Sequence, residues 1–301
     1  MAIGDIGLSS SMRSNLVNLQ TTAKFLGETQ EKLSTGKRVN TAVDNPANFF
    51  AAQGANTRAN QLSGLKDNIS EAIQTVKAAD SGIKGVLTTI EALRGVLTQA
   101  RSAINDTVNS SQILGGDDTG GGASGLTGQY NRLVEQLNNL VVDASYKGTN
   151  FLTSATVTLT VNFNENASTQ IIMSGFNSGA SGLGISGGGN TLDVRGTSGD
   201  ITYDNLNEAS ELDAAEETLN TAIATLQTKA SELAANLNTL TTRQTFITEM
   251  VNTLVVGATK LTEADTNEEG ANMLSLQTKQ SLGTTALSIS SQAEQSILRL
   301  F

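Results

Sequence analysis

Cysteine, histidine and tryptophan are all absent from the 301-residue chain, and proline occurs once, at Pro46. Without thiolate or imidazole the chain cannot build Cys- or His-based catalytic arrangements, and it loses most zinc sites. Aromatic residues make up only 4%, so cores are expected to be aliphatic seams of Leu, Ile, Val and Ala, as in helical bundles. The near absence of proline is what long uninterrupted helices require. Positive charge is scarce too: 19 Lys and Arg against 29 Asp and Glu leave a formal net charge of −10. With its basic residues scattered, such a chain is a poor partner for nucleic acid or an anionic membrane. No window approaches the apolar length of a membrane span. The start, MAIGDIGLSSSMRSNL, lacks a charged leader followed by an apolar run, so any export is expected to proceed without a cleaved signal peptide.

What the chain does have is heptads. Leu62, Ile69, Val76, Ile83, Ile90, Leu97 and Ile104 fall at intervals of seven. The positions three residues later are apolar in every case but Thr107. This is a coiled-coil seam, and as one helix it would run roughly 70 Å at about 1.5 Å per residue. A stripe of that length cannot be buried alone. Leu212, Leu219, Leu226, Leu233, Leu240, Ile247, Leu254 and Leu261 repeat the same spacing later in the chain and are its expected partner. Asn45 as N-cap with Pro46 at the first helical position marks the start of the first long helix.

A short amphipathic helix is expected from Met12 to Leu33, stopping near Gly36. Another is expected after a polar break at 263–270, carrying Leu274, Leu282, Ala286, Ile289, Ala293, Ile297 and Leu300. Between the long helices, residues 110–209 hold 17 of the 29 glycines. Two islands of pattern interrupt this stretch: a helix of about four turns marked by Tyr130, Leu133, Leu137, Leu140, Val141 and Ala144, and a β-hairpin pairing Ala155–Phe163 with Thr169–Met173. The remaining Gly/Ser/Asn-rich segments read as loops or a small irregular outer domain. The order is short helix, long helix, insert, long helix, short helix, which implies a chain that runs out and returns antiparallel.

Nothing in this pattern carries chemistry. The Gly-rich run at 115–125 lacks the Lys-Ser/Thr ending of a phosphate loop. Asp265, Asn267 and Glu269 begin like an EF-hand loop, but the twelfth position is Leu276, so a solvated connection is the better reading. Glu216 and Glu217 read as a solvated helix face, and the Asn-X-Ser triplets at 68, 109 and 166 match a pattern common by chance. No catalytic residue, cofactor or metal is expected.

Two features exceed what a helical hairpin needs. The terminal helices carry apolar residues off their main stripe, Val17 and Phe25 at one end and Leu287, Leu298 and Phe301 at the other, which identical neighbours would cover in an assembly. Together with Leu16, Leu19, Leu26, Leu33, Leu282, Ile289, Ile297 and Leu300 they form the expected assembly surface. Gly85 and Gly95 face away from the seam, where each costs a helix about 1 kcal/mol relative to alanine. They are either tolerated or mark close approach by another subunit.

The run LSTGKRVNTAVDNPANFFAA at 33–52 resembles the N-terminal block of bacterial flagellins through Leu33, Ser34, Gly36, Arg38, Val39, Asn40, Asp44, Pro46 and Ala47. The tail resembles the family's other hallmark through Ala264-Asp265, Glu268-Glu269, Ala271-Asn272-Met273, Gln280, Gly283-Thr284 and Leu298 to Leu300. The resemblance covers roughly residues 1–110 and 205–301. It implies a structural subunit that self-assembles into a hollow helical filament turned by a rotary motor. It also implies type III export, an export chaperone at the C-terminal helix, filament cap and junction proteins as partners, and possible sibling flagellins in the same polymer. Members sensed by the animal innate receptor carry an Arg-Glu-Leu-type patch on the first long helix; here the comparable run has Ala92, Gly95 and Val96, so that recognition is not expected. A hook–filament junction protein, or another exported coiled-coil protein, is the alternative. The expected fold is mostly α: an elongated antiparallel coiled-coil rod with paired terminal helices and a small β-hairpin insert. Its expected parts are a terminal domain (1–44 with 263–301), a long-helix rod (45–150 with 205–262) and an outer insert (151–204).

Overall fold

The computed structural model describes residues 10–104, 125–185 and 209–298. Within the described residues five helices and one hairpin follow in order: α1 (Ser10–Thr35), α2 (Pro46–Ile104), α3 (Gly125–Asp143), β1 (Thr158–Asn162), β2 (Gln170–Ser174), α4 (Ala209–Thr262) and α5 (Thr266–Leu298). The chain divides into two compact units, Met1–Asn60 with Met250–Phe301, and Gln61–Glu249. The divisions fall inside α2 and α4, not at the turns beside residues 44 and 263.

Local chemistry sets the helix ends. Gly36 adopts φ +66°, the left-handed conformation that lets α1 stop without a Cβ penalty. At the start of α2 the Asn45 Oδ1 accepts from the Asn48 N–H at 3.0 Å, and the Asn45 carbonyl accepts from the Phe49 N–H at 2.9 Å. Pro46 follows the cap, where a missing N–H costs nothing. The break before α5 is shorter than the expected 263–270, because Asp265 acts as an N-cap. Its Oδ1 accepts from the backbone N–H groups of Asn267 at 2.9 Å and Glu268 at 3.3 Å. Glu268 and Glu269 then occupy the first helical turn, where the helix dipole favours them. Asn267 and Glu269 therefore belong to a helix and not to a cation-binding loop.

In the second unit the heptad positions Leu62, Ile69, Val76, Ile83, Ile90 and Leu97 of α2 are buried, as are Leu219, Leu226, Leu233, Leu240 and Ile247 of α4. Ile104 is half-buried. Arg101 of α2 pairs with Asp213 and, at 3.2 Å, with Glu216 of α4. Each buried Ile or Leu contributes roughly 1.5–3 kcal/mol relative to exposure, so the seam outweighs these solvent-exposed ion pairs, which contribute about 0–1 kcal/mol each. The apolar stripe of α3, Tyr130, Val134, Leu137 and Val141, is buried as well.

Gly85 is approached from within the chain, which corrects the alternative of close approach by a neighbouring subunit there. A Cβ at this position would lie 2.6 Å from Leu140 Cδ2 of α3. At Gly82, one turn earlier, it would lie 2.4 Å from Leu152 Cδ1 and 2.7 Å from Ala144 Cβ. The two glycines make a notch on α2 that admits these side chains. Gly95, by contrast, is exposed and has nothing within 4 Å of a Cβ position.

β1 and β2 pair antiparallel from Thr158↔Ser174 to Asn162↔Gln170. Val161 and Met173 on one face are buried. Arg243 of α4 lies over the Phe163 ring at 5.1 Å, and Lys229 of α4 over Phe176 at 5.8 Å. Residues 175–185, whose composition reads as loop, are irregular yet packed. Ser178 donates its N–H and its hydroxyl to the Leu152 carbonyl, at 2.8 and 3.1 Å. The Ala180 N–H meets Asn138 Oδ1 at 2.9 Å, and Ala180, Leu183 and Ile185 are buried.

Candidate assembly surface

The first unit pairs α1 with α5. Gly283 of α5 lets Leu19 of α1 approach, with Leu19 Cγ 3.0 Å from where a Cβ would stand, and Lys32 pairs with Glu269 at 3.5 Å. The turns that lead into and out of the pair are laced by backbone bonds. The Thr262 carbonyl accepts from the N–H groups of Arg38 at 2.7 Å and Val39 at 3.2 Å, and the Gly36 carbonyl accepts from the Ala264 N–H at 3.0 Å. Val39 and Ala264 are buried beside this joint.

Most motif residues in this region have structural tasks. The Asp44 carboxylate accepts from the N–H groups of Thr41 at 2.8 Å and Asn40 at 2.9 Å, and from the Thr41 hydroxyl at 3.2 Å. The Thr41 N–H above all, and then that of Asn40, hold its pKa below the ordinary carboxylate value. Gly36, Arg38, Asn40, Asp44 and Pro46 thus build one turn between α1 and α2. At the other end Gly283 seats Leu19, Asn272 lines a groove of about 340 Å³ with Phe25 and Lys32, and Met273 is half-buried. Ser34 is exposed.

Burial in this unit is sparse. In the 26 residues of α1 only Met12 and Thr29 are buried, and in α5 no described side chain is. Of the expected assembly residues, Leu16, Val17, Phe25, Leu282 and Ile289 are exposed. Leu19, Leu26, Leu33 and Leu287 are half-buried, and Leu19 packs at Gly283 where α1 meets α5. The side chains of Ile297 and Leu298, and all of Leu300 and Phe301, lie outside the described residues.

Other exposed apolar side chains lie beyond the expected assembly surface: Val43 (91% exposed), Phe50, Val255, Val256 and, from the expected stripe of α5, Leu274 (67%). The paired apolar residues Phe49-Phe50 and Val255-Val256 were the available signal, since adjacent residues on a helix cannot both face one seam. Of the thirteen large hydrophobic residues exposed in the described chain, ten belong to this unit, the others being Val142, Ile172 and Phe246. Leu254 and Leu261, the seam residues of α4 that fall here, are half-buried.

Among the described residues no cluster could hold a metal ion, and no helix is long and apolar enough to cross a membrane. Aliphatic helices joined by capped and laced turns, with one small hairpin, define a mostly helical protein among the described residues. The comparisons with known proteins agree. A family model for the bacterial flagellin N-terminal helical region matches residues 6–156, and one for the C-terminal helical region matches residues 216–301. The chain belongs to the bacterial flagellin family. It is 28% identical to flagellin FljO of Caulobacter vibrioides over 301 residues, covering 100% of both chains. It is 26% identical to a flagellin of Brucella melitensis over 304 residues, covering 97% of each. A crystal structure of Bacillus cereus flagellin is a looser match, with a TM-score of 0.43 and 15% identity, covering 60% of this chain and 88% of that one. The chain is thus an extracellular structural protein, a subunit that self-assembles into the flagellar filament.

Proposed function

We propose that copies of the chain join through the exposed apolar faces of α1 and α5, together with Val43, Phe50, Val255 and Val256, while the buried seam of α2 and α4 serves as the internal spine of each subunit. The sparse burial in α1 and α5 carries this reading. Helices of 26 and 33 residues whose apolar side chains remain largely in water gain little from pairing only with each other, and most helical stability comes from tertiary burial. Heterologous, non-closing contacts between copies supply that burial and generate a helical polymer.

On the same reading the subunit leaves the cell through the type III export apparatus. Before export a chaperone covers α5, whose exposed Leu274, Leu282 and Ile289 offer it an apolar stripe. The filament cap and junction proteins engage the same kind of surface at the polymer's ends, and sibling flagellins that share it can enter the same filament. Deletion of residues 283–301 tests the core of the proposal. The shortened chain is expected to retain the helical circular-dichroism signal of the remaining sequence and to form no filaments under electron microscopy after seeding. Normal filaments from it would overturn the assignment of α5.

A further inference from the structure

The hairpin has a free edge that faces a groove. Bonds from the Phe163 N–H to the Thr169 carbonyl (2.9 Å) and from the Gly175 N–H to the Val157 carbonyl (2.7 Å) set the phase of the ladder. Antiparallel alternation in the observed register then assigns residues 157, 159, 161 and 163 to the bonds with β2. It turns the backbone N–H and C=O groups of Thr158, Thr160 and Asn162 toward the opposite edge. Among the described residues no backbone bond beyond the ladder reaches these groups.

Along that edge runs a groove of about 430 Å³. Its lining includes four successive residues of β1, Leu159 to Asn162, and none of β2, so it views the strand edge-on. Asn68, Glu71 and Thr75 of α2 line it too, as does Lys147, ion-paired with Glu71. The Asn162 Oδ1 is buried without a hydrogen-bond partner, although buried acceptors are nearly always satisfied. Edge strands are ordinarily blunted by lysine, proline or a bulge; the sequence of β1, TLTVN, carries no lysine or proline, and its register is continuous.

We infer that this groove receives a short extended segment of a neighbouring copy, added as a third strand on the free edge of β1. The inference rests on the filament reading, in which every subunit is surrounded by copies. Charge favours the same occupant. Copies carrying a net charge of −10 repel one another, whereas the one carboxylate lining this groove is neutralised by Lys147. The segment spans about four residues, or ~13 Å at the strand rise. It supplies carbonyl and N–H groups to Thr160 and Asn162, and one further donor to Asn162 Oδ1.

Hydrogen exchange read residue by residue in subunits and in filaments tests this. In the subunit the amides of Leu159 and Val161 exchange slowly and those of Thr160 and Asn162 fast. In filaments the Thr160 and Asn162 amides are expected to slow at least tenfold. Fast exchange there in filaments overturns the inference, and slow exchange already in the subunit does so as well, by showing an occupant from the same chain. A Thr160→Pro variant removes an N–H that β2 does not use; it should melt like wild type and show an at least threefold higher critical concentration for assembly. If it melts lower, Asn162→Leu, which deletes the unpaired acceptor, carries the same expectation. An unchanged critical concentration in a variant with native melting refutes the strand addition. Wild-type chain that forms no filaments at all refutes the filament reading and this inference with it, whereas filaments with fast Thr160 and Asn162 amides refute only the inference.

Discussion

Replacing Leu282 by alanine separates what this side chain does inside the subunit from what it does between subunits. It lies on α5 and is 65% exposed. The substitution removes three carbons, which at ~0.8 kcal/mol per buried CH₂ amounts to about 2.4 kcal/mol for a side chain passing fully from water into a core. Because 65% of the side chain is still in water in the subunit, about 1.5 kcal/mol of that total belongs to polymerisation. A difference of about 1.4 kcal/mol is a tenfold change in an equilibrium constant, so the critical concentration for filament growth should rise about tenfold. The remainder, about 0.9 kcal/mol, is already realised in the subunit and is partly offset by alanine's better helix propensity, so the free subunit should melt at most slightly below the wild-type temperature. The assay is sedimentation of seeded filaments across a concentration series, with a thermal melt of the unassembled chain beside it. An unchanged critical concentration would refute the reasoning. So would a melting temperature lowered by several degrees, which would mean that Leu282 serves the subunit's own core. Ile83→Ala is the control. Ile83 is 0% exposed, and its loss should cost about 2–5 kcal/mol of subunit stability.

Two further perturbations probe the glycine notch and the turn before α2. Gly82→Ala forces a methyl group to within 2.4 Å of Leu152 and should destabilise the subunit by about 1–3 kcal/mol in denaturant titration, whereas Gly95→Ala meets nothing and should stabilise it by about 0.5–1 kcal/mol through helix propensity. Asp44 gives a pH signature. Its folded-state pKa is depressed by the Thr41 and Asn40 N–H groups, so its contribution is complete above the unfolded value of about 3.9 and is lost as pH falls through the lower folded value. Exchange protection of the Asn40 and Thr41 amides should therefore persist at pH 5 and collapse only below about pH 4, and Asp44→Asn should remove that dependence.

Sequence alone determined the elements and which of their faces are apolar. Seven-residue spacing marked both long seams, the Asn45-Pro46 pair marked the start of α2, and period-two alternation marked the hairpin, because each of these is a property of residues a few positions apart. What covers each face depends on residues far apart in the chain, and tertiary structure alone decided it. Gly85 looked outward in the heptad and is filled by Leu140, more than fifty positions away. Residues 175–185 have the composition of a loop, yet their glycines allow close backbone approach and their apolar residues enter the core. Asp265 could be read as the start of a cation loop until the helix it caps was seen. The free edge of β1 and its groove with α2 emerge only when strand register and helix packing are known together, since a sequence states what a strand is made of and not which of its edges is left unpaired.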